Sequence, residues 1–282
     1  MSTLSTTRTA PAPPPARVVL GPEAWVVLLE QAAGVRLPDP FGRAAGPELT
    51  DDARRLALEQ LRASPLVTGS GGPLVPDLHP SIQATLTAAA APQLRIAAAV
   101  RRGDVQEDAL VLLAGPLAAG LRRTLTDDGS DRLLLGPVEL STLLLEHIAQ
   151  EVVAAFGETD GAEDRQGVRV DAVASIAAVR ALEAGREPRA GAALSGAAPP
   201  GPALSAPVPA ALRAIAGGVE AVARVEVTTA RNARVLLWVR TADGWWRVRT
   251  SSEDVVLAPV DRDGVLTDLA IALTGALLEG AT

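Results

Sequence analysis

The chain has no cysteine, and that absence removes disulfides, thiolate nucleophiles and cysteine-ligated zinc or iron–sulfur centres together. It also has no lysine: all 26 cations are arginine, so a Walker A loop, a Schiff-base lysine and a kinase-type lysine are excluded. Tyrosine is absent and aromatics make up 2% of the residues, too few for the stacking platforms of single-strand nucleic-acid binders. Positive charge is in deficit as well. A net charge of −7 disfavours a protein whose work is to grip phosphate backbones. Long apolar runs are missing, the longest stretch without a charged or polar side chain being the 13 residues 109–121, interrupted by Gly115 and Pro116. Such a stretch is too short to span a bilayer. The N-terminus passes from Ser and Thr into Pro11, Pro13, Pro14 and Pro15 without the apolar core of a secretory signal, so the expected compartment is the cytoplasm.

What is present is ample apolar material, 48% of 282 residues, enough for one large domain or two small ones with a real core. Residues 1–16 read as a disordered tail, 157–167 as an acidic linker, and 185–209 as a Pro/Ala-rich excursion. Between these breaks the order of elements repeats. Residues 17–156 read as a strand (17–20), a helix (22–33), helices at 48–63 and 82–91, strands at 94–101, 109–114, 117–126 and 132–138, and a closing helix over 139–156. Residues 168–282 read as a strand (168–170), a helix capped by Asp171 (171–184), a short helix (210–216), strands at 222–229, 234–241, 245–250 and 254–260, and a last helix (265–278). Leu133-Leu134-Leu135-Gly136-Pro137-Val138-Glu139 matches Val255-Val256-Leu257-Ala258-Pro259-Val260-Asp261, in each case an apolar strand closed by Pro-Val-acid. The expected fold class is α+β: two duplicated halves about a pseudo-two-fold axis, each with mainly antiparallel strands covered by helices.

No constellation of catalytic residues is visible. The only histidines are His79, at a helix entry, and His147, on a helix with Glu151 one turn on and no further metal ligand nearby. Gly-x-Ser-x-Gly is absent, and Gly69-Ser70-Gly71-Gly72 lacks dinucleotide-loop spacing. Arg101-Arg102 and Arg122-Arg123 read as guards of a sheet edge or as an anion site. Asp127, Asp128, Asp131, Asp261 and Asp263 sit in turns. Trp245-Trp246 follows the Asp243-Gly244 turn, and strand alternation sends one ring inward and one outward, where it would serve as a partner anchor or pack under a helix.

Several strings resemble the EspG family, the ESX (type VII) secretion-associated proteins of actinobacteria. They are the opening strand and the helix with Trp25, Leu28 and Leu29 before Leu37-Pro38-Asp39-Pro40-Phe41; the helix Ala53-Arg54-Arg55-Leu56-Ala57-Leu58-Glu59; Asp243-Gly244-Trp245-Trp246-Arg247-Val248; and Ala258-Pro259-Val260-Asp261 before a terminal helix. The resemblance covers most of residues 17–279. It implies a pseudo-two-fold fold and a cytosolic chaperone without enzymatic activity or cofactor. Such a chaperone binds the apolar tip of a helical secretion substrate, such as a PE–PPE pair. It also implies a contact surface made of a C-terminal helical bundle and the loop between the second and third strands. With 17–20 as the first strand, that loop falls on Gly103, Asp104, Val105, Gln106, Glu107 and Asp108, an acidic rim around one apolar residue. Two other readings are a small-molecule sensor or enzyme with a pocket of no known motif, and a structural homodimer module.

Overall fold

The computed structural model describes residues 17–32, 34–42, 46–67, 74–115, 117–127, 133–143, 148–156, 168–171, 219–250 and 254–280. The expected tail, acidic linker and Pro/Ala-rich excursion, the helices over 171–184 and 210–216, and His147 lie outside them. The first half runs β1 (Arg17–Leu20), α1 (Pro22–Gln31), α2 (Asp51–Ala63), a 3-10 turn (Val75–Asp77), α3 (Pro80–Ala90), β2 (Leu94–Arg102), β3 (Val105–Ala114), β4 (Leu117–Asp127), β5 (Leu133–Leu143) and α4 (Ile148–Ala154). The second half runs β6 (Val168–Asp171), β7 (Ala221–Thr229), β8 (Ala233–Thr241), β9 (Gly244–Thr250), β10 (Asp254–Pro259) and α5 (Arg262–Gly280).

All ten strands form one antiparallel sheet in the order β1-β5-β4-β3-β2-β7-β8-β9-β10-β6. Read outward from the middle, each half repeats the same sequence of strands, which is the pseudo-two-fold arrangement expected of an α+β duplication. The axis passes between β2 and β7. Both are nine residues long and pair from end to end, from Leu94↔Thr229 through Ala98↔Val225 to Arg102↔Ala221. The hairpins β2–β3 and β7–β8 therefore leave the central pair at opposite ends.

Alternation along the strands feeds two cores. Leu94, Ile96, Ala98 and Val100 of β2, with Val225 and Val227 of β7, face α4 and α5. Leu110 and Leu112 of β3, Leu121 of β4 and Leu140 of β5 face α1, α2 and α3 on the other side. Pro22 opens α1, and the indole of Trp25, fully buried, donates to the Phe41 carbonyl at 2.9 Å. Thr50 caps α2 by accepting from the Ala53 amide at 3.2 Å. His79 is a helix-entry residue in fact: it caps α3, its Nδ1 accepting from the Ser81 amide at 3.3 Å.

Three expectations need correction. Residues 139–156 are not one helix: β5 continues to Leu143 and helix begins only at Ile148. Val138 and Leu140 are buried while Glu139 between them meets Arg17 at 2.7 Å, a period of two that suits a strand. Pro137 is tolerated inside β5 because the register with β4 shifts between Arg123 and Leu125, and a residue without an N–H fits at such an irregularity. The heptad match therefore joins unlike places. In the second half the strand does stop at Pro259, and the Asp261 carboxylate accepts from the Gly264 amide at 2.8 Å to open α5. Asp171 pairs with Asp254 at the end of β6, and the helix it is expected to cap lies outside the described residues. Trp245 and Trp246 do point to opposite faces, yet both are fully buried, and the Trp246 indole donates to the Thr241 hydroxyl at 3.2 Å. Neither ring is an exposed anchor.

Candidate functional site

The segment expected to be a six-residue loop is a two-residue turn followed by strand. Arg102 pairs with Val105, leaving Gly103 and Asp104 as the whole connection. Gly103 has φ +55°, a left-handed conformation in which a side chain is strained, and the turn depends on it. The Asp104 carbonyl accepts from the Asp127 amide at 2.7 Å, which ties the turn to the end of β4. Arg101 braces it from beneath, donating to the Gly103 carbonyl at 3.2 Å and standing 3.6 Å from the Asp127 carboxylate.

The six candidate residues separate by environment. Gly103, Asp104 and Val105 are at the surface, Val105 being 40% exposed as the first residue of β3. Glu107 stands between Arg102 at 3.9 Å and Arg122 at 3.7 Å. With the Arg17–Glu139 pair this forms a run of alternating charge, Arg17, Glu139, Arg122, Glu107, Arg102, across the consecutive strands β1, β5, β4, β3 and β2. Asp108 is buried, and its carboxylate accepts from the Gln106 amide at 2.8 Å. Burial pushes the Asp108 carboxyl up to about 6, against the smaller opposing effects of Gln106 and the Arg123 guanidinium across the ladder. Arg123 is buried too and is held down by that burial. It donates to the Gly136 carbonyl at 2.9 Å and the Pro40 carbonyl at 2.6 Å, fastening the Pro38–Phe41 turn to the sheet. Asp108 and Gln106 thus belong to the support of the hairpin, and the contact residues available to a partner are Gly103, Asp104 and Val105. The paired arginines are engaged internally, and because β2 and β4 are interior strands they do not guard a sheet edge as expected.

The hairpin adjoins a helical layer. Arg102 donates to the Ala155 carbonyl at 2.9 Å, so a guanidinium closes the C-terminal end of α4 beside the turn, where a cation is favoured. α4 packs against α5 on the same face of the sheet. α5 buries Val265, Leu269, Ala272 and Ala276 at helical spacing and turns Ala270, Ile271, Thr274, Leu277 and Leu278 outward. Its residues 269–278 carry no charge, so the outward face is as apolar as the inward one. Ile271 is 63% exposed and Leu278 66%. The exposed residues of α4, Gln150 and Ala154, are also uncharged. The resemblance implied a C-terminal helical bundle as contact surface but singled out no residue of it, although the absence of charge over residues 269–278 was a signal for this outer face.

The hollows around the hairpin are shallow: an open depression of about 270 Å³ over the charge run, and a niche of about 120 Å³ under the Pro38–Phe41 turn. Among the described residues no group of His, Asp and Glu is placed to hold a metal ion, and no helix is long and apolar enough to cross a membrane.

No protein-family model matches the sequence, and no curated protein matches it. Among solved structures the fold is similar to the type VII secretion system chaperone EspG5 of Mycobacterium tuberculosis, in its complex with the PE25–PPE41 dimer. The TM-score is 0.57 over 89% of this chain and 94% of that chain, at 13% sequence identity. At that identity the likeness is one of fold.

Proposed function

We propose that the chain is a cytosolic chaperone, without catalytic activity, of a type VII (ESX) secretion system, and that it shields the apolar part of a helical export substrate of the PE/PPE kind. The observation that carries this reading is an outer surface, uncharged on α4 and on α5 beyond its first turn, that adjoins an exposed turn at Gly103–Val105. Charge has been kept off a surface that water would otherwise select for it, which is the mark of a docking site. The similarity in fold to a chaperone that holds a PE–PPE dimer supports the same reading. So does the resemblance in sequence.

A helical tip seated here would rest its apolar residues on Val105 and the α4–α5 layer, with Asp104 at the rim. An interface of standard size, roughly 1,200 to 2,000 Å² in total, draws most of its affinity from a few such anchors. Val105→Asp is therefore expected to weaken binding of a purified PE–PPE heterodimer about thirtyfold, a loss of about 2 kcal/mol by calorimetry. The same change is expected to alter stability in urea by no more than about 0.5 kcal/mol, since the side chain begins a surface hairpin. Unchanged affinity would remove the hairpin from the site.

A further inference from the structure

The two ends of the helical layer carry opposite unpaired charges, and this gives the surface a direction. At the β2–β3 end the Arg101–Asp127 pair is internally matched, and Arg262 and Asp263, both exposed on the first turn of α5, together add no net charge. Asp104 is left, an exposed carboxylate with no ion pair among the described residues. At the β7–β8 end Arg234 is satisfied by the Glu279 carboxylate, which also accepts from the Asn232 amide at 2.9 Å. Arg231 there is exposed and spends one nitrogen on the Glu279 backbone carbonyl at 3.4 Å, with no carboxylate partner among the described residues. Between the ends the outward side chains of the two helices are Gln150, Ala154, Thr267, Ala270, Ile271, Thr274 and the Leu277–Leu278 pair, none of them charged.

The separation of the ends follows from the fold. The hairpins leave opposite ends of the central pair, whose nine residues span roughly 30 Å. A helix of about 20 residues covers that length at 1.5 Å per residue. Such a helix has its own polarity, with partial positive charge at its N-terminus and partial negative charge at its C-terminus.

We propose, building on the reading of this face as a docking site, that the α4–α5 layer receives an uncharged helical face of about 20 residues lying along it in one direction. The N-terminal end of the bound helix meets Asp104 and its C-terminal end meets Arg231. Charge complementarity at the two ends selects this occupant. A neutral helix in the reverse direction would bring each partial charge against its like.

The test uses the full chain, isotope-labelled for NMR, and a synthetic 20-residue helix of Ala, Leu and Gln with a nitroxide at its N-terminus. Paramagnetic broadening is expected around Gly103, with a preference of about tenfold over broadening around Arg231, since each matched end contributes a few-fold. In the double variant Asp104→Lys, Arg231→Glu the broadening is expected to move to the Arg231 end. Equal broadening at both ends, or a pattern unmoved by the double variant, would overturn the directional proposal. Ile271→Asp separates the two layers of inference. If it abolishes peptide binding while the broadening in the unmutated chain is symmetric, the docking face stands and its direction falls. If it leaves peptide binding unchanged, or if the unmutated chain does not bind the peptide at all, the face itself is refuted. A chain that self-associates without peptide and becomes monomeric with Ile271→Asp would show that a second copy covers this face, which also overturns the proposal.

Discussion

Asp108 stands directly across the β3–β4 ladder from Arg123, two charged residues inside the sheet, and both are there to hold the candidate site in place. The carboxyl titrates near 6 in the fold and near 4 in an unfolded chain, so between those values the folded protein keeps a proton that the unfolded chain has released. Its stabilising contribution is complete below about pH 4 and is lost as the pH rises through 6. Compared with Asp108→Asn, the unmutated protein is expected to lose up to about 3 kcal/mol of stability between pH 4 and pH 7, measured by urea unfolding at both. An identical pH dependence in the two proteins would show that the carboxyl is not buried as described. At the turn itself, Gly103→Ala is expected to cost about 1 kcal/mol, because φ +55° strains any side chain although there is open space around the position. The position of this turn was legible in the sequence and its length was not: Val105 to Asp108 look as polar as a loop, and only pairing on both sides by β2 and β4 makes them strand.

Among the elements, α4 joins the halves. Phe156, just past its end, lies edge-on to Trp238 with ring centres 5.3 Å apart and tilted against Trp245 at 5.2 Å, so an aromatic from the first half packs on two from the second. Phe156→Ala is expected to cost about 3 to 5 kcal/mol and to change the near-ultraviolet circular dichroism of the tryptophans, since it opens a cavity in the larger core. A cost under 1 kcal/mol would mean the contact is incidental. Elements with strong local signals, such as α1 behind Gly21-Pro22 or the hairpin signalled by Asp243-Gly244, could be read from sequence because their causes lie within a few residues, although the connection itself is Ala242-Asp243, one residue earlier. β5 could not: Pro137 looks like a strand stop, and what lets it continue is a register shift against β4 and a second partner, β1, more than a hundred residues earlier. The inward stripe of α5 was equally plain, whereas the importance of its outer face depends on the hairpin that α4 brings alongside.

The whole molecule is organised around a single sheet, with β2 and β7 bonded along their full length. Such a seam couples the halves, and unfolding of one would strip hydrogen bonds and apolar cover from the other. Three of the four tryptophans lie in the second half, so a Trp25→Phe variant reports on that half alone. Its fluorescence transition in urea is expected to coincide with the loss of far-ultraviolet circular dichroism, and two separated transitions would contradict the coupling. The pseudo-two-fold axis also explains why one face can be specialised: related hairpins are placed at opposite ends, and the sequence makes one acidic and the other basic without disturbing the shared core. The central claim is that the Gly103–Val105 turn and the outer surface of α4 and α5 hold a helical export substrate. Hydrogen–deuterium exchange of the full chain, alone and in complex with a purified PE–PPE heterodimer, tests it most directly. Slowed exchange is expected at residues 103–105 and along α4 and α5. A complex that protects only surfaces elsewhere, or the absence of a complex with any such heterodimer, would contradict it.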